Sequence, residues 1–329
     1  MYKNYQSDMI PLTVIIPFFN SGEYLKRTTE SLFNQTLDNI EYLFVNDGST
    51  DNSKEIILDV LSAYPNKKNY VRIVNSCDSG KNGGIARARQ VGLDLAIGRY
   101  VTFCDSDDWV DKTYYEELYN AGVSNNAGIV TGDHCTESVD GVSIKIAPDL
   151  KNWNDLNNYD KWFHLSLCNR LIDNSLINNN KIRFFDNINF SEDYGFLMRT
   201  YYYSSNNCNV HSNAFYHYNK INSNSLTTAI RPASLFQRIE CLTLLDEFFS
   251  SKCQDTKNCF IHNFEKFYAK ESLLSINEYS LWRKIFPEVW HLVFHDQNRS
   301  MLYKCIYMLS QKISWRILWL YHNIGKLSL

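Results

Sequence analysis

Short apolar runs alternate with segments of helical spacing through the first third of the chain. Residues 12–17 form an apolar run rich in β-branched side chains, which predicts a buried strand. Residues 21–35 follow with apolar positions at helical spacing, with Ser21 as a plausible N-cap and Glu23 in the first turn. The alternation continues with strands predicted at 40–45, 71–75 and 99–104 and helices at 53–64 and 85–97. This order predicts a parallel sheet covered by helices on both faces.

Aromatic and polar residues follow the predicted strands at their carboxyl ends. They are Phe19-Asn20, Asp47, Asn82 and the acidic run from Asp105 to Asp108. In open α/β sheets, ligands bind in the crevice outside the carboxyl ends of the strands. The sequence therefore predicts a ligand site at this edge of the sheet.

Three acidic residues, Asp105, Asp107 and Asp108, stand together after the fourth predicted strand. Clustered carboxylates repel unless a cation or hydrogen-bond donors neutralise them. Mg²⁺ and Mn²⁺ are held by one or two carboxylates together with phosphate oxygens, and such an ion stabilises charge on a departing diphosphate. If the backbone stays extended, Asp105 and Asp107 point to one side. The alternative is a set of N-terminal caps for a helix beginning near Lys112.

The second half of the chain has a mixed pattern at 128–227 and is mostly helical from about 232, most clearly at 234–249 and 260–276. We expect these helices to pack on the main domain. An apolar stripe at steps of three and four predicts one amphipathic terminal helix: Leu302, Ile306, Leu309, Ile313, Ile317, Leu320, Ile324 and Leu327. Lysines, arginines and tryptophans flank this stripe, which suits either an anionic membrane surface or docking on the catalytic domain.

Composition narrows the class of protein. The chain has 329 residues, 44% of them hydrophobic, which is enough for a sizeable core. The formal net charge of −3 argues against a nucleic-acid binder. Nine scattered cysteines without a C-x-x-C pair, and no recognisable signal peptide, indicate free thiols in a reducing cytoplasm. Since no apolar run reaches the roughly 18–20 residues of a spanning helix, we expect a chain that does not cross a membrane.

Four motifs in order make the prediction specific: VIIPFFN, VNDGSTDNS, NGGIARARQVGLDLAIGRYVTFCDSDDW and SEDYGF. With these motifs the chain resembles the family-2 glycosyltransferases of the GT-A fold, strongly over 12–110 and moderately over 167–227. The resemblance implies an α/β fold with a mostly parallel, Rossmann-like central sheet. It also implies a catalytic domain at 1–230, with a nucleotide-sugar half at 1–127 and an acceptor half at 128–230. A helical C-terminal region at 231–329 follows.

The resemblance assigns a nucleotide-binding role to residues of the first half. Phe19 stands where the family places an aromatic ring against uracil, and Pro17 shapes the same turn. Asp47 matches the acid that accepts a hydrogen bond from the uracil N–H, while Asn82 and Arg89 match residues near the nucleotide and diphosphate. The alternatives are core packing for Phe19, a turn-forming role for Asp47 and a surface ion pair for Arg89.

The acidic run matches the family's D-x-D motif. The resemblance makes Asp107 the direct ligand of a divalent cation, Mn²⁺ or Mg²⁺. Asp105 then lies near the ribose or binds the cation through water, with Ser106 among the nucleotide-binding residues. Asp108 is expected to position its neighbours.

Asp193 matches the family's catalytic base, and Glu192 is the neighbouring acid that holds the base or a sugar hydroxyl. One base without an enzyme nucleophile implies inversion in a single displacement. The alternative for this pair is a helix N-terminus, where acids are stabilised by the helix dipole.

Three further residues are weaker matches. Arg170 stands where many relatives carry a lysine, and His217 or Lys220 stands where relatives often carry an arginine near the diphosphate; a packed, hydrogen-bonded histidine is the alternative for His217.

The resemblance thus implies transfer of a sugar from a nucleotide diphosphate, UDP favoured, to a glycan or lipid-linked saccharide in cell-surface polysaccharide synthesis. We expect a cytoplasmic enzyme, peripheral on the inner face of a bacterial membrane. A non-catalytic sugar-nucleotide-binding protein is the first alternative. A nucleotidyltransferase is less favoured because it needs a glycine-rich phosphate loop where this chain has Phe18-Phe19-Asn20. A dinucleotide-dependent dehydrogenase would need G-x-G-x-x-G after a strand, which the sequence lacks.

Overall fold

The structure is a computed structural model that describes residues 9–147, 150–151, 166–221, 232–252, 259–295 and 299–324. These residues divide into two compact units, one below residue 222 and the other from residue 232 onward. The predicted division at 230 falls between these two ranges.

The first unit is an α/β structure, as predicted. Its helices are α1 (Gly22–Phe33), α2 (Ser53–Ser62), α3 (Ile85–Leu95), α4 (Tyr114–Asn125), α5 (Asn174–Asn179) and α6 (Glu192–Tyr203), with a 3-10 helix at Pro65–Tyr70. Its strands are β1 (Leu12–Phe18), β2 (Glu41–Asn46), β3 (Val71–Asn75), β4 (Tyr100–Phe103), β5 (Trp109–Val110), β6 (Ile129–Gly132), β7 (His134–Ser138), β8 (Gly141–Lys145), β9 (Arg170–Asp173), β10 (Asn207–Val210) and β11 (Tyr216–Asn219).

The central sheet has the strand order β10-β6-β9-β4-β1-β2-β3 within the described residues. All its pairings are parallel except those of β9, which runs antiparallel to both β4 and β6. β1 occupies an interior position, and Leu12, Val14 and Ile16 on it have no exposed surface. Burial on both faces explains why the strand is a continuous apolar run rather than an alternating one.

Helix α3 approaches the sheet closely at Gly92. A Cβ atom on Gly92 would lie 2.3 Å from Cγ2 of Ile15 on β1, so glycine permits this approach. Arg89 lies three residues earlier on the same side of the helix. The close packing therefore fixes the position of Arg89 relative to the strand ends.

A second sheet in the first unit has the order β5-β11-β7-β8. Strand β11 pairs antiparallel with β5, with Tyr216 opposite Val110 and His217 opposite Trp109. Because β5 directly follows the acidic run at 105–108, this pairing brings β11 against that run.

The second unit is helical over its described residues. It contains α7 (Pro232–Ser251), α8 (Phe260–Ser275), α9 (Tyr279–Lys284), a 3-10 helix at Pro287–His295, α10 (Met301–Lys312) and α11 (Arg316–Ile324). Trp282 is fully buried and donates from Nε1 to the hydroxyl of Tyr307 at 3.2 Å.

The prediction of one continuous terminal helix is wrong. The helix stops at Lys312 and a new one starts at Arg316. Ser314 explains the restart, because its hydroxyl accepts from the Arg316 N–H at 3.4 Å. Leu327, the last position of the predicted stripe, lies outside the described residues.

None of the described helices is both long enough and apolar enough to span a bilayer. The eight cysteines that lie within the described residues are all free thiols.

Candidate functional site

The carboxyl ends of β1, β2 and β4 lie side by side at one edge of the central sheet. Phe19 follows β1, Asp47 follows β2, and the acidic residues 105–108 follow β4. The strand order therefore brings these three segments to a common edge.

Arg89 links this edge to helix α6. Its Nη2 lies 2.8 Å from Oδ1 of Asp105, and its Nη1 lies 2.5 Å from Oε1 of Glu192. Arg89 is only 5% exposed and Glu192 is buried, so the ion pair between them is shielded from water, whereas the Asp105 side chain is partly exposed. This single guanidinium brings together two acids that are 87 residues apart in sequence, from Asp105 to Glu192.

The charges in this cluster interact strongly. Burial alone would lower the pKa of Arg89, but Asp105 and Glu192 together raise it above its ordinary value. Burial also raises the pKa of Glu192, an effect that Arg89 opposes and the neighbouring Asp193 increases. The guanidinium is therefore permanently charged, and its charge favours the ionised forms of the acids around it.

Asp193 belongs to the same cluster, because its charge acts on both Arg89 and Glu192. It is half-buried in the first turn of α6, and its Oδ1 accepts from the Tyr194 N–H at 2.7 Å. The N-terminal position stabilises a carboxylate. The helix-terminus interpretation of Glu192 and Asp193 is thus correct, and it is compatible with a chemical role.

The acidic run forms a turn, with Asp108 N–H donating to the Asp105 carbonyl at 3.1 Å. The premise of an extended backbone, which would align Asp105 with Asp107, is therefore wrong. The helix-cap alternative is wrong as well, since α4 begins at Tyr114 with Thr113 as its N-cap residue.

Asp108 anchors this turn from its buried side. It has no exposed surface, and burial raises its pKa well above the usual range. Its Oδ2 accepts from the Tyr216 hydroxyl at 2.5 Å and its Oδ1 from the Asn219 N–H at 2.8 Å. The Tyr216 hydroxyl in turn accepts from the Asp105 N–H at 3.2 Å. Asp108 therefore positions its neighbours through β11.

Replacing Tyr216 by phenylalanine is expected to lower the free energy of unfolding by about 1–3 kcal/mol, because it leaves Oδ2 of the buried Asp108 without a donor. Chemical denaturation measures this change. Tyr114→Phe is the matched control: Tyr114 is equally buried, and its hydroxyl has no hydrogen-bond partner among the described residues. Equal losses for the two variants would contradict the anchoring role of Tyr216.

Asp107 is half-buried at the tip of the turn, and its backbone is fixed by two other elements. Its carbonyl accepts from Nη2 of Arg27 at 3.0 Å and from Nδ2 of Asn219 at 3.2 Å. Thr28 of α1 also donates to the carbonyls of Ser106, at 2.9 Å, and Asp108, at 2.7 Å. The turn is thus held by main-chain contacts that do not depend on the Asp107 carboxylate.

Asp47 organises the loop between β3 and α3. It is 4% exposed; its Oδ1 accepts from the Ser76 hydroxyl at 2.5 Å and its Oδ2 from the Gly84 N–H at 2.8 Å. Oδ1 also accepts from the Cys77 thiol at 3.5 Å, whereas Oδ2 can accept a further bond. Asp47 therefore serves as a turn former and retains the capacity to bind a ligand N–H.

The other predicted nucleotide-binding residues surround this edge. Pro17 is buried opposite Val45, and Phe19 is half-buried. Ser106 donates to the Ser21 hydroxyl at 2.8 Å, which places the predicted N-cap Ser21 in contact with the acidic turn; its side chain does not cap α1. Asn82 is exposed, and its Oδ1 accepts from the Gly84 N–H at 3.0 Å.

His217 lies between two carboxylates, which agrees with the packed alternative. Its Nδ1 is 2.9 Å from Oε1 of Glu137, and its Nε2 is 3.2 Å from Oδ1 of Asp111, although the latter contact lacks hydrogen-bond geometry. Its ring stacks on Trp109 with centroids 5.0 Å apart. Lys220 is exposed, with its Nζ 6.0 Å from the ring of Tyr218.

Arg170 is 1% exposed on β9. Its Nε donates to the Tyr201 hydroxyl at 3.2 Å, and its Nη1 donates to Asn169 Oδ1 at 2.9 Å and to the Ser166 carbonyl. These contacts make Arg170 part of the core of the first unit.

The acidic turn has the chemistry of an incomplete cation site. Asp105 and Asp107 offer hard carboxylate oxygens, and the Asp105 side chain is 32% exposed. Among the described residues, no three His, Cys, Asp or Glu side chains are grouped so that they could hold a metal alone. Two carboxylates suit Mg²⁺ or Mn²⁺ when phosphate oxygens and water complete the coordination.

Sequence reasoning missed the residues that hold the turn: Arg27, Thr28, Tyr216 and Asn219. Their contacts with the turn join segments that are 78 to 112 residues apart. The VIIPFFN and DSDDW motifs contain no signal for these partners.

Residues 13–176, about half of the chain, match the family model described as Glycosyl transferase family 2. The chain belongs to this family. The glycosyltransferase GlyA of Streptococcus pneumoniae is 40% identical over 123 residues, which is 37% of this chain and 16% of GlyA. The poly(ribitol-phosphate) beta-N-acetylglucosaminyltransferase TarP of Staphylococcus aureus is 34% identical over 182 residues, which is 54% of this chain and 53% of TarP. The chain thus spans about half or less of the length of these relatives.

Two solved structures share the fold. Residues 1–349 of S. aureus TarS in complex with UDP-GlcNAc align over 95% of this chain and 92% of that one, with a TM-score of 0.67 and 18% identity. The mannosyltransferase PcManGT of Pyrobaculum calidifontis, in complex with GDP-Man and Mn²⁺, aligns over 96% and 87%, with a TM-score of 0.50 and 13% identity. The predicted GT-A fold is confirmed.

Proposed function

We propose that this chain is an inverting glycosyltransferase that transfers a sugar from a nucleotide diphosphate, UDP favoured, to an acceptor hydroxyl in cell-surface polysaccharide synthesis. The observation that carries the proposal is the double ion pair of Arg89. It joins Asp105, on the donor side, to Glu192, next to Asp193 on the acceptor side. The edge of the sheet proposed to bind the nucleotide and the proposed catalytic base, Asp193, thereby belong to one charged cluster.

On the donor side, Arg89 provides a permanent positive charge beside the acidic turn. Asp107 and Asp105 would hold a divalent cation, which when bound supplies positive charge for the departing diphosphate. Asp108, Tyr216 and the main-chain contacts of Asp107 keep the turn fixed while the ligand binds. A rigid arrangement of charges is what stabilises charge developing in a transition state.

On the acceptor side, Asp193 takes the proton from the acceptor hydroxyl. The acceptor oxygen forms a bond to the anomeric carbon while the bond from that carbon to the diphosphate oxygen breaks, and the diphosphate leaves with the bonding electron pair. The Tyr194 N–H orients the Asp193 carboxylate, and Glu192 accepts a hydrogen bond from Arg89. One displacement with one base inverts the anomeric centre.

UDP is favoured because Phe19 and Asp47 flank the edge of the sheet where the uracil ring of the nucleotide would lie. A base stacked on an aromatic ring is worth about 1–3 kcal/mol, and Asp47 can accept from an imide N–H. The structural neighbour TarS is described in complex with UDP-GlcNAc, which supports a UDP-sugar donor. The acceptor is a glycan or a lipid-linked saccharide in this proposal.

A thermal-shift screen of nucleotides with and without Mn²⁺ tests the donor class. At about one hundred times the dissociation constant, a ligand stabilises the folded state by about 2.7 kcal/mol. We therefore expect UDP with Mn²⁺ to raise the melting temperature by roughly 5–10 °C, and UDP with EDTA to raise it much less.

An assay of the products released from nucleotide sugars and nucleoside triphosphates separates the alternatives. Release of UDP from one of the UDP-sugars supports the transferase. Release of pyrophosphate from a nucleoside triphosphate would instead indicate a nucleotidyltransferase. Stabilisation by UDP-sugars without turnover, with a range of saccharide acceptors supplied, would indicate the non-catalytic binding protein.

A further inference from the structure

The apolar stripe of α10 faces solvent. Leu302 is 64% exposed, Leu309 is 40% exposed and Ile313, just after the helix, is 62% exposed. Cys305 is exposed and Ile306 half-buried on the same side. Steps of three and four residues place these five side chains on one face, which we call the α10 face.

The opposite side of α10 makes the contacts within the second unit. Tyr303, Tyr307 and Ser310 are buried there. The ring of Tyr303 stacks on His322 with centroids 6.0 Å apart, and Tyr307 accepts from Trp282. The helix therefore packs through tyrosines and leaves its aliphatic side chains in water. Such an exposed apolar surface is typical of an interaction site.

The charged residues of the segment that carries the α10 face are basic, and one of them, Arg299, pairs with Glu271 of α8 at 3.8 Å. Residues 299–324 contain four basic residues, Arg299, Lys304, Lys312 and Arg316, and no aspartate or glutamate. Lys312 and Arg316 are exposed on either side of Ile313. Their charges lie close to aromatic rings: Lys312 Nζ is 5.2 Å from the ring of Trp290, and the Arg316 guanidinium is 5.8 Å from the ring of Trp315.

Helix α11 adds aromatic and aliphatic surface. Trp319 is 40% exposed, Leu320 is 49% exposed and Tyr321 is 37% exposed. Tryptophan and tyrosine are enriched where a protein meets the headgroup region of a bilayer. Basic residues there add attraction to anionic lipids.

We propose that the α10 face docks this chain on the surface of an anionic membrane, with Leu302, Leu309 and Ile313 among the acyl chains and Lys312 and Arg316 at the lipid phosphates. Apolar side chains and unbalanced positive charge on one short segment match the two components of such a surface. An apolar protein groove would satisfy the first component and not the second. The proposal is independent of the reaction at Asp193.

Sedimentation of the full chain with vesicles tests the proposal. Vesicles of phosphatidylglycerol mixed with phosphatidylcholine should carry the protein into the pellet, and vesicles of phosphatidylcholine alone should carry much less. Leu302→Ser with Leu309→Ser should weaken partitioning more than about ten-fold, because two exposed leucines no longer enter the acyl region. Lys312→Ala with Arg316→Ala should weaken it by about 25-fold, since each basic residue near an anionic surface contributes a factor of about five.

Ile97→Ser with Leu58→Ser is the matched control, because these first-unit residues are 64% and 46% exposed. It should leave vesicle binding unchanged. The proposal is overturned if the wild-type chain stays in the supernatant, or if both α10 variants sediment like the wild type. It is also overturned if Leu302→Ser with Leu309→Ser only dissociates a dimer, which would make the α10 face a contact between two copies.

Discussion

Replacing Asp193 by asparagine is expected to lower turnover by about 100- to 10,000-fold, the range that a positioned general base contributes. Asparagine has the same shape as aspartate and keeps an oxygen that can accept from the Tyr194 N–H, which lies 2.7 Å from Asp193 Oδ1 in the wild-type chain. It cannot take the proton of the acceptor hydroxyl. Donor binding should therefore change by less than about three-fold, since the interaction lost is made in the transition state.

UDP release under saturating donor and acceptor measures turnover, and calorimetric titration with UDP and Mn²⁺ measures donor binding. Asp186→Asn is the control, because Asp186 is exposed in the loop that leads into α6. That variant should match the wild type in both measurements. If Asp193→Asn retained turnover within a few-fold of the wild type, Asp193 would not be the base.

Replacing Asp107 by alanine is expected to weaken metal-dependent donor binding by about 100-fold, or about 3 kcal/mol, the scale of the charge stabilisation that a bound cation supplies. The loss should be specific to the metal, because Arg27 and Asn219 bond the backbone carbonyl of Asp107 and continue to hold the turn. Binding of UDP in EDTA should stay close to that of the wild type.

Titrations with UDP in Mn²⁺ and in EDTA give the metal-dependent and the metal-independent affinity of each variant for UDP. Asp59→Ala removes an exposed aspartate of α2 and should leave both affinities unchanged. An Asp107→Ala variant that lost UDP binding equally in Mn²⁺ and in EDTA would indicate that the turn had collapsed. An unchanged affinity in Mn²⁺ would remove Asp107 from the metal site.

The architecture of the first unit was predictable because its signals are local. β1 is buried on both faces, so its apolar run contains enough information to identify a strand. β3 was predicted at 71–75 and is observed at Val71–Asn75. The helices predicted at 53–64 and 85–97 end two residues earlier in the structure, at Ser62 and Leu95. The apolar periodicity continues past the last helical hydrogen bonds, so it overestimates the length of each helix.

The site was only partly predictable from the sequence. Arg89 and Glu192 could be named from their motifs, but the ion pairs that Arg89 makes with Asp105 and Glu192 require the folded chain. The shape of the acidic turn depends on Tyr216 and Asn219 in β11, which pair with it only after the second sheet forms. An extended backbone was the wrong expectation because that distant strand determines the local conformation.

The C-terminal stripe shows the limit of periodicity. Apolar spacing predicted one helix and left its orientation open, while the structure breaks it after Lys312 and buries the tyrosines instead. Tyrosines 303 and 307 have partners in Trp282 and His322 that the aliphatic residues cannot replace. Specific aromatic contacts therefore decided which side of α10 faces inward.

The central claim is that Asp193 activates an attacking oxygen on the opposite side of the sugar from the diphosphate held near Asp105 and Asp107. Proton NMR of donor hydrolysis, with water as the acceptor, tests it without knowledge of the natural acceptor. Starting from the α-linked donor selected by the thermal screen, the first free sugar to appear should be the β anomer, before mutarotation mixes the two forms. First appearance of the α anomer would mean retention and would contradict a single displacement assisted by Asp193.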